Sequence, residues 1–336
     1  MWSHPLPSPA GRGRLGPAMS DTSPALLLPT DRIVTARFPS VNLALTYADA
    51  THAARGLETS HLSGPAASRA LAEGLVAAAL LSAETDDPDE AVSFQLNVHG
   101  PVGTVFAEAT GAGHLRGYTK AKIIDALDAR AHDLSDADLY GPSGAVQVIR
   151  SVPGKILSSG GAAVPSASVS HALAAYHSSS LQRRSAFLVS ATIGADFTVA
   201  AARGLSVERM PDGNVPAFVA VLEALASPKA AELLDGSLPL AAVCAALRLP
   251  PDGVFTDLRP LEFRCRCSPE RVAATLAALP EADRAALAAK GKPAHVHCHL
   301  CGRDYSVDVP PPAQAPDSAS QRSSSNGDNR LHPPST

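Results

Sequence analysis

Four of the five cysteines in this 336-residue chain fall within one short stretch. The pattern is Cys265-Arg266-Cys267, 30 intervening residues, then Cys298-His299-Leu300-Cys301-Gly302. Ionised thiolates bind metals and react with oxidants, so two tight pairs point to a metal or redox site. Alternate residues of an extended strand share a face, which lets Cys265 and Cys267 present both sulfurs to one ion. Cys-x-x-Cys followed by Gly reads as a metal knuckle, in which turn amides donate to sulfur and Gly302 tolerates a positive φ. Four thiolates around Zn²⁺ leave a net charge of about −2. Arg264, Arg266 and Arg303 are placed to offset it. Cys244, alone in AAVCAAL, reads as a small buried hydrophobe.

The spacer fits the same picture. Ser268-Pro269-Glu270 is a helix start, with a capping hydroxyl, Pro at the first helical position and an acid in the first turn. Val272, Leu276 and Leu279 form an apolar stripe, and a second helix is predicted from Glu281 to Lys290, before Gly291. So small a unit has too little core to fold without a metal. The expectation is one Zn²⁺ per chain on Cys265, Cys267, Cys298 and Cys301.

Four readings of the quartet stand open at this point. A structural zinc knuckle is one. A nucleic-acid-binding ribbon is another, poorly supported by few Lys and Arg and only Tyr305 as a nearby aromatic. A zinc hydrolase would use His295, His297 or His299, but catalytic zinc keeps an open position and four cysteines close the shell. The last is a redox switch. Each pair is close enough in sequence to form its own disulfide, which would expel the metal and unfold the unit it organises.

The rest of the chain must position this module. Its 45% hydrophobic and 18% charged residues exclude global disorder, and its length allows about two domains. Apolar stretches such as Leu71 to Leu81 are too short to span a bilayer. A net charge of −4 argues against a nucleic-acid-coating protein, and five cysteines are too few for a disulfide scaffold. Residues 1–30 lack a secretory apolar core and are expected to be a disordered extension, with Met19 a candidate start. The expected location is the cytoplasm, with organellar import the alternative if residues 1–18 are a transit peptide. A Pro/Ser-rich tail at 310–336 is expected to be disordered.

Alternation from Arg32 to Ala48 predicts a strand, and Pro65 to about Glu84 a helix with Leu71, Leu75, Ala78 and Leu81 at helical spacing. An antiparallel meander follows over 92–98, 102–109 and 114–118. Then come a helix over 166–182 and strands over 186–193 and 197–209. Residues 216–249 read as short helices broken at Pro228, Gly236 and Pro239, too short to stand alone. Helices between antiparallel strands, without regular βαβ alternation, give an α+β fold. Gly111-Ala112-Gly113 and Gly160-Gly161 lack the context of phosphate loops and read as turns. Ser178-Ser179-Ser180 lacks a nucleophile elbow, and Arg183-Arg184 reads as a solvated helix end. No acid–base pair assembles, so no catalytic residue and no enzyme are predicted.

At this point the chain resembles the redox-regulated thirty-three-kilodalton heat-shock chaperones, from about Asp31 to Val309. LEFRCRCSPERVAATLAAL and VHCHLCGRDYSVD look like that family's CxC and CxxC zinc module. Weaker similarity lies in SRALAEGLVAAALLSA, VSFQLNVHGPVGTVFAEATGAGHLRGY and AARGLSVERMPDGN. Two positions depart from the family: Glu208 stands where it carries Gln, and His177 to Gln182 replace a Ser-Glu-Gln signature.

The resemblance implies a core domain at 31–227, a metastable helical linker at 228–260 and a zinc redox-switch domain at 261–309. It implies a reduced, zinc-bound, nearly inactive state. Oxidation would give the disulfides Cys265–Cys267 and Cys298–Cys301 and release zinc. The linker would then unfold and expose a surface that holds unfolding client proteins without ATP, usually as a homodimer. No nucleic-acid or membrane partner is implied. A constitutive protein- or RNA-binding protein with a purely structural zinc is the alternative.

Overall fold

The computed structural model describes residues 30–308, and the expected extension (Thr30 apart) and tail lie outside the described residues. The chain begins with β1 (Arg32–Phe38), β2 (Leu43–Asp49), α1 (Thr51–His61) and α2 (Pro65–Ser82). It continues through β3 (Ala91–Val98), β4 (Thr104–Thr110), β5 (His114–Thr119), the short α3 (Asp125–Asp128) and α4 (Asp136–Tyr140), β6 (Gly144–Val152) and β7 (Lys155–Val164). Next are α5 (Val169–Ser179), β8 (Arg184–Ile193), β9 (Val199–Arg209), α6 (Val215–Leu225) and α7 (Leu240–Ala246). After them come β10 (Val254–Pro260), β11 (Glu262–Phe263), α8 (Pro269–Ala277), α9 (Glu281–Ala288), β12 (Ala294–His297) and β13 (Asp304–Val307). One compact unit runs through Arg266 and takes in Cys298–Arg303; the second comprises Cys267–His297 and the stretch from Asp304.

The first unit is α+β. Its five-stranded sheet runs β10-β1-β2-β9-β8, antiparallel throughout, and its six-stranded sheet runs β11-β5-β4-β3-β6-β7. Helix α2 explains how two sheets share one core. Gly64 caps it, Pro65 occupies the first helical turn, and 15 of its 18 residues are buried. A helix apolar all round must be covered on all sides, and its alanines let both sheets approach closely. Gly74 faces Val105 of β4 and Gly204 of β9 faces Val76, each at a distance that leaves no room for a β-carbon. No described helix is long and apolar enough to cross a membrane.

A second core lies on the other face of the five-stranded sheet. Phe38, Leu43, Leu45, Leu205 and Val207 are covered there by Phe218 and Val221 of α6, Leu234, and Val243 and Leu247 in and after α7. The helices of this cover are short, as their breakers predict: Gly236 has φ +93°, and Pro239 precedes α7. Residues 230–234 form only a 3-10 turn. The cover therefore depends on the sheet beneath it.

Four local expectations change. Arg32 to Ala48 is a hairpin, not one strand, reversing at Pro39–Asn42 with Asn42 at φ 50°. The alternation persists because both arms bury the same face. Helix α1 went unpredicted, since its buried side is Ala53, Ala54, Leu57 and His61, with one large apolar residue. Gly160-Gly161 is strand, not turn: both pair with β6, and a β-carbon at Gly160 would press on Tyr176 and Ser180 of the α5 region at 3.0 Å. The helical reading of 228–260 ends at Ala246, and Val254–Pro260 pairs with β1 as an edge strand.

His177 on α5 is buried, its Nδ1 3.0 Å from Ser185 Oγ and its ring edge-on to Phe187 at 4.7 Å. Burial, reinforced by nearby Arg183, pushes its pKa down to about 4. The unfolded chain therefore takes up a proton near pH 6.5 that the fold refuses. Stability is full above pH 6.5 and declines by about 3 kcal/mol as the pH falls toward 4. Urea unfolding of His177→Gln should lose this slope; an unchanged slope would assign it to another group.

Candidate metal centre

Cys265, Cys298 and Cys301 are held by the first unit's own backbone. After β10, Leu261 N–H donates to Asp31 O, and β11 pairs in parallel with β5, Glu262 opposite His114 and Phe263 opposite Leu115. Arg264 N–H donates to Leu115 O at 3.0 Å, which delivers Cys265 alongside β5. The knuckle arrives from the other direction. Cys301 N–H and Gly302 N–H both donate to Cys298 O, at 3.2 and 2.8 Å, and Cys298 N–H donates to Arg303 O at 2.8 Å. Gly117 N–H of β5 donates to Leu300 O at 3.2 Å, and Ser60 Oγ of α1 donates to Cys301 O. Gly302 has φ +74°, and a β-carbon there would stand 2.2 Å from Ser60 O. Glycine is thus demanded twice, by conformation and by the approach of α1.

The four sulfurs meet as the spacing predicts. The Sγ atoms of Cys265, Cys267, Cys298 and Cys301 all lie within 4.8 Å of one another, and no histidine, Asp or Glu joins a metal-holding group among the described residues. Cys265 and Cys298 Sγ are 3.9 Å apart. Cys301 is fully buried and the other three half-buried. The arrangement can hold a metal ion. His295, His297 and His299 stay outside it, and His297 Nδ1 meets Asp304 Oδ1 at 2.8 Å across the β12–β13 hairpin.

In the second unit, Ser268 Oγ accepts from Arg271 N–H and starts α8 as predicted, with Leu276 its buried residue. Helix α9 buries none, and Gly291 follows at φ +61°. Tyr305 O–H donates to Cys267 Sγ at 3.0 Å.

The charge around the sulfurs differs in detail from expectation. Arg116 of β5, absent from the sequence reading, directs Nη1 at Cys265 Sγ at 3.9 Å. Arg266 reaches Glu108 Oε1 at 2.8 Å, and Arg116 reaches the same oxygen at 2.7 Å. Arg264 pairs with Glu262 at 3.3 Å. A buried carboxylate on β4 thus holds two guanidiniums beside the CxC segment. Arg116 becomes visible only once β5 is paired with β11.

Cys244 is elsewhere, buried in the second core, where burial pushes its thiol up to about 12. It is a protonated apolar side chain at neutral pH. Cys244→Ser should leave metal stoichiometry unchanged and cost about 1–3 kcal/mol, the penalty for a buried hydroxyl. Metal analysis of the purified variant checks this, and a loss of metal would overturn the ligand assignment. Glu208 also has a local reason: Arg183 grips both its oxygens at 2.7 Å.

Comparison with known proteins agrees with this geometry. The profile of the family described as "Hsp33 protein" matches residues 31–308. A "33 kDa chaperonin" of Symbiobacterium thermophilum is 28% identical over 248 residues, covering 73% of this chain and 83% of its own. One from Lacticaseibacillus paracasei is 27% identical over 283 residues, covering 83% and 96%. The crystal structure of the 33 kDa chaperonin (heat shock protein 33 homolog) from Thermotoga maritima superposes with a TM-score of 0.72 at 18% identity, covering 83% of this chain and 95% of that one, which establishes a shared fold. Since the profile spans the two-sheet core, the helical cover and all four clustered cysteines, the chain belongs to the Hsp33 chaperone family.

Proposed function

We propose that this chain is an oxidation-activated, ATP-independent holdase: zinc-bound and inactive when reduced, client-binding after its clustered cysteines become disulfides. The observation that carries the reading is one of continuity. The chain leaves the cover of the second core through β10 and β11 and reaches Cys265 five residues after Pro260. A change at the sulfurs is thereby transmitted to the segment that hides an apolar sheet face.

Zinc suits the donor set. Two sulfurs on a tetrahedral ion with bonds of about 2.3 Å stand ~3.8 Å apart, close to the 3.9 Å between Cys265 and Cys298 Sγ. When bound, the ion keeps the four thiols ionised and ties the two pairs together. Arg116, Arg266 and Tyr305 lower the cost of the accumulated negative charge. Thiolates are also the nucleophiles toward peroxide-class oxidants. For each pair, Cys265–Cys267 and Cys298–Cys301, one thiolate attacks a peroxide oxygen and gives a sulfenic acid and hydroxide. The second thiolate displaces a further hydroxide as the S–S bond forms. Two electrons leave per pair, and neither sulfur of a disulfide remains a good ligand. Cys267–His297, with Leu276 its main buried residue, then loses the interactions that order it.

Released from that anchor, the linker at 228–260 detaches, and the face carrying Phe38, Leu43, Leu45 and Leu205 opens to unfolding proteins. Burial of apolar surface drives the binding, so neither nucleotide nor catalytic turnover is involved. The active form is a homodimer, and the site of action is the cytoplasm, where thiols rest reduced.

The test is suppression of aggregation of a heat-denatured client by reduced and by peroxide-treated protein. Suppression by the oxidised form alone is expected. Equal suppression by both forms would leave a constitutive binder with a structural metal.

A further inference from the structure

The apolar face of the five-stranded sheet carries one fully buried charge. Asp49 of β2 is 0% exposed; its Oδ2 accepts from Arg203 Nε of β9 at 2.7 Å, and its Oδ1 accepts from Thr51 N–H at 2.8 Å. The carboxylate holds the guanidinium with its free edge toward the cover. There Arg203 Nη1 donates to the main-chain carbonyl of Leu234 at 3.0 Å. Gly236 lies flat against the same group: a β-carbon on it would stand 2.7 Å from Nη1, and its φ is +93°. The Leu234 carbonyl is the acceptor at this donor, with the Asp235 carboxylate close enough to interact with the guanidinium by charge, while Leu234, Leu240, Val243 and Leu247 fill the apolar surface around it.

The segment that occupies the face in the resting state shows what the face accepts. Any replacement that covers Arg203 without offering an acceptor leaves a buried cation short of a hydrogen bond, a loss far larger than that of a neutral pair. Folded proteins have almost no main-chain carbonyls to spare, because theirs are paired in helices and sheets. Unfolding chains have many. We infer that Arg203, oriented by Asp49, reads an unpaired main-chain carbonyl of the client, so that the uncovered face selects leucine-rich segments whose backbone hydrogen bonds are already broken. The inference rests on the proposed function and adds the chemistry of the client to it. Arg203 thereby has two effects of opposite sign, holding the cover at rest and holding the client once the cover has gone.

The probe is a labelled peptide of residues 228–250 carrying Cys244→Ser, titrated against the full-length protein by fluorescence anisotropy. Peroxide-treated protein should bind it at least tenfold more tightly than reduced protein. The double variant Asp49→Asn/Arg203→Met removes both charges and keeps an acceptor for Thr51; once oxidised, it should bind about tenfold more weakly than oxidised wild type. A second peptide with a thioamide at the Leu234 carbonyl needs no altered protein. As a poorer acceptor it should bind wild type severalfold less well, and the double variant no worse than the unmodified peptide does. Equal binding of the two peptides to wild type would overturn the inference. So would client holding by oxidised protein that fails to bind the peptide. Oxidised wild type that holds no client at all would instead overturn the functional reading on which the inference rests.

Discussion

Cys298→Ser should weaken zinc binding by more than about 100-fold, beyond the loss that follows removal of a single outer-shell partner. The substitution removes one of four mutually adjacent sulfurs and leaves the knuckle turn, with its bonds from Cys301 and Gly302, without the ligand at its first position. The consequence reaches past the metal. Helix α8 buries Leu276 and α9 buries no residue, so the second unit has almost no core from which to draw stability. Hydrogen exchange across residues 269–288 should therefore become fast in Cys298→Ser, while α2 stays protected. A competitive zinc titration gives the first result and exchange mass spectrometry the second. Protection of both helices without zinc would mean that the unit folds by itself, and its use as a metal-dependent switch would fail.

Val243→Asp should free the client-binding face without an oxidant. Val243 is 0% exposed, packed with Phe218, Leu205 and Leu247 in the second core. A carboxylate there would lie among apolar side chains, and leaving a charge buried and unpaired costs about 3–5 kcal/mol. The part of the cover that follows α6 is a 3-10 turn and a seven-residue helix, too little structure to absorb such a loss. The reduced, zinc-loaded variant should suppress client aggregation, and limited proteolysis should cut between residues 228 and 253. If it remains inactive until oxidised, the cover is not what keeps the resting protein inactive.

These two effects arise from features of unequal visibility in the sequence. The cysteine site was legible because its information is local. Cys265 and Cys267 are separated by a single residue, the Gly302 turn places Cys298 beside Cys301, and Ser268-Pro269 starts the intervening helix. Helix α2 was equally plain from Pro65 and its leucines. Other parts depend on contacts remote in sequence. Arg116 meets Cys265 across 149 positions, through a parallel pairing of β5 with a two-residue strand that no periodicity marks. The Asp49–Arg203 pair is likewise formed by neighbouring strands 154 residues apart. Helix α1 was hidden because alanines form its buried face, and the β1–β2 hairpin because alternation runs through its turn. Gly160 and Gly161 resemble a turn but are glycine because Tyr176 and Ser180 press on the strand at that place.

Oxidation of the quartet, release of the ion and client holding should be one event. This coupling is tested most directly by following free zinc with a chromogenic chelator, and free thiols by alkylation and mass spectrometry, in aliquots assayed for client holding during peroxide treatment at mildly denaturing temperature. One zinc should be released per four thiols lost, with the losses confined to Cys265, Cys267, Cys298 and Cys301 and activity rising in proportion. Client holding that appears while zinc is still bound, or zinc release with no gain in holding, would contradict it.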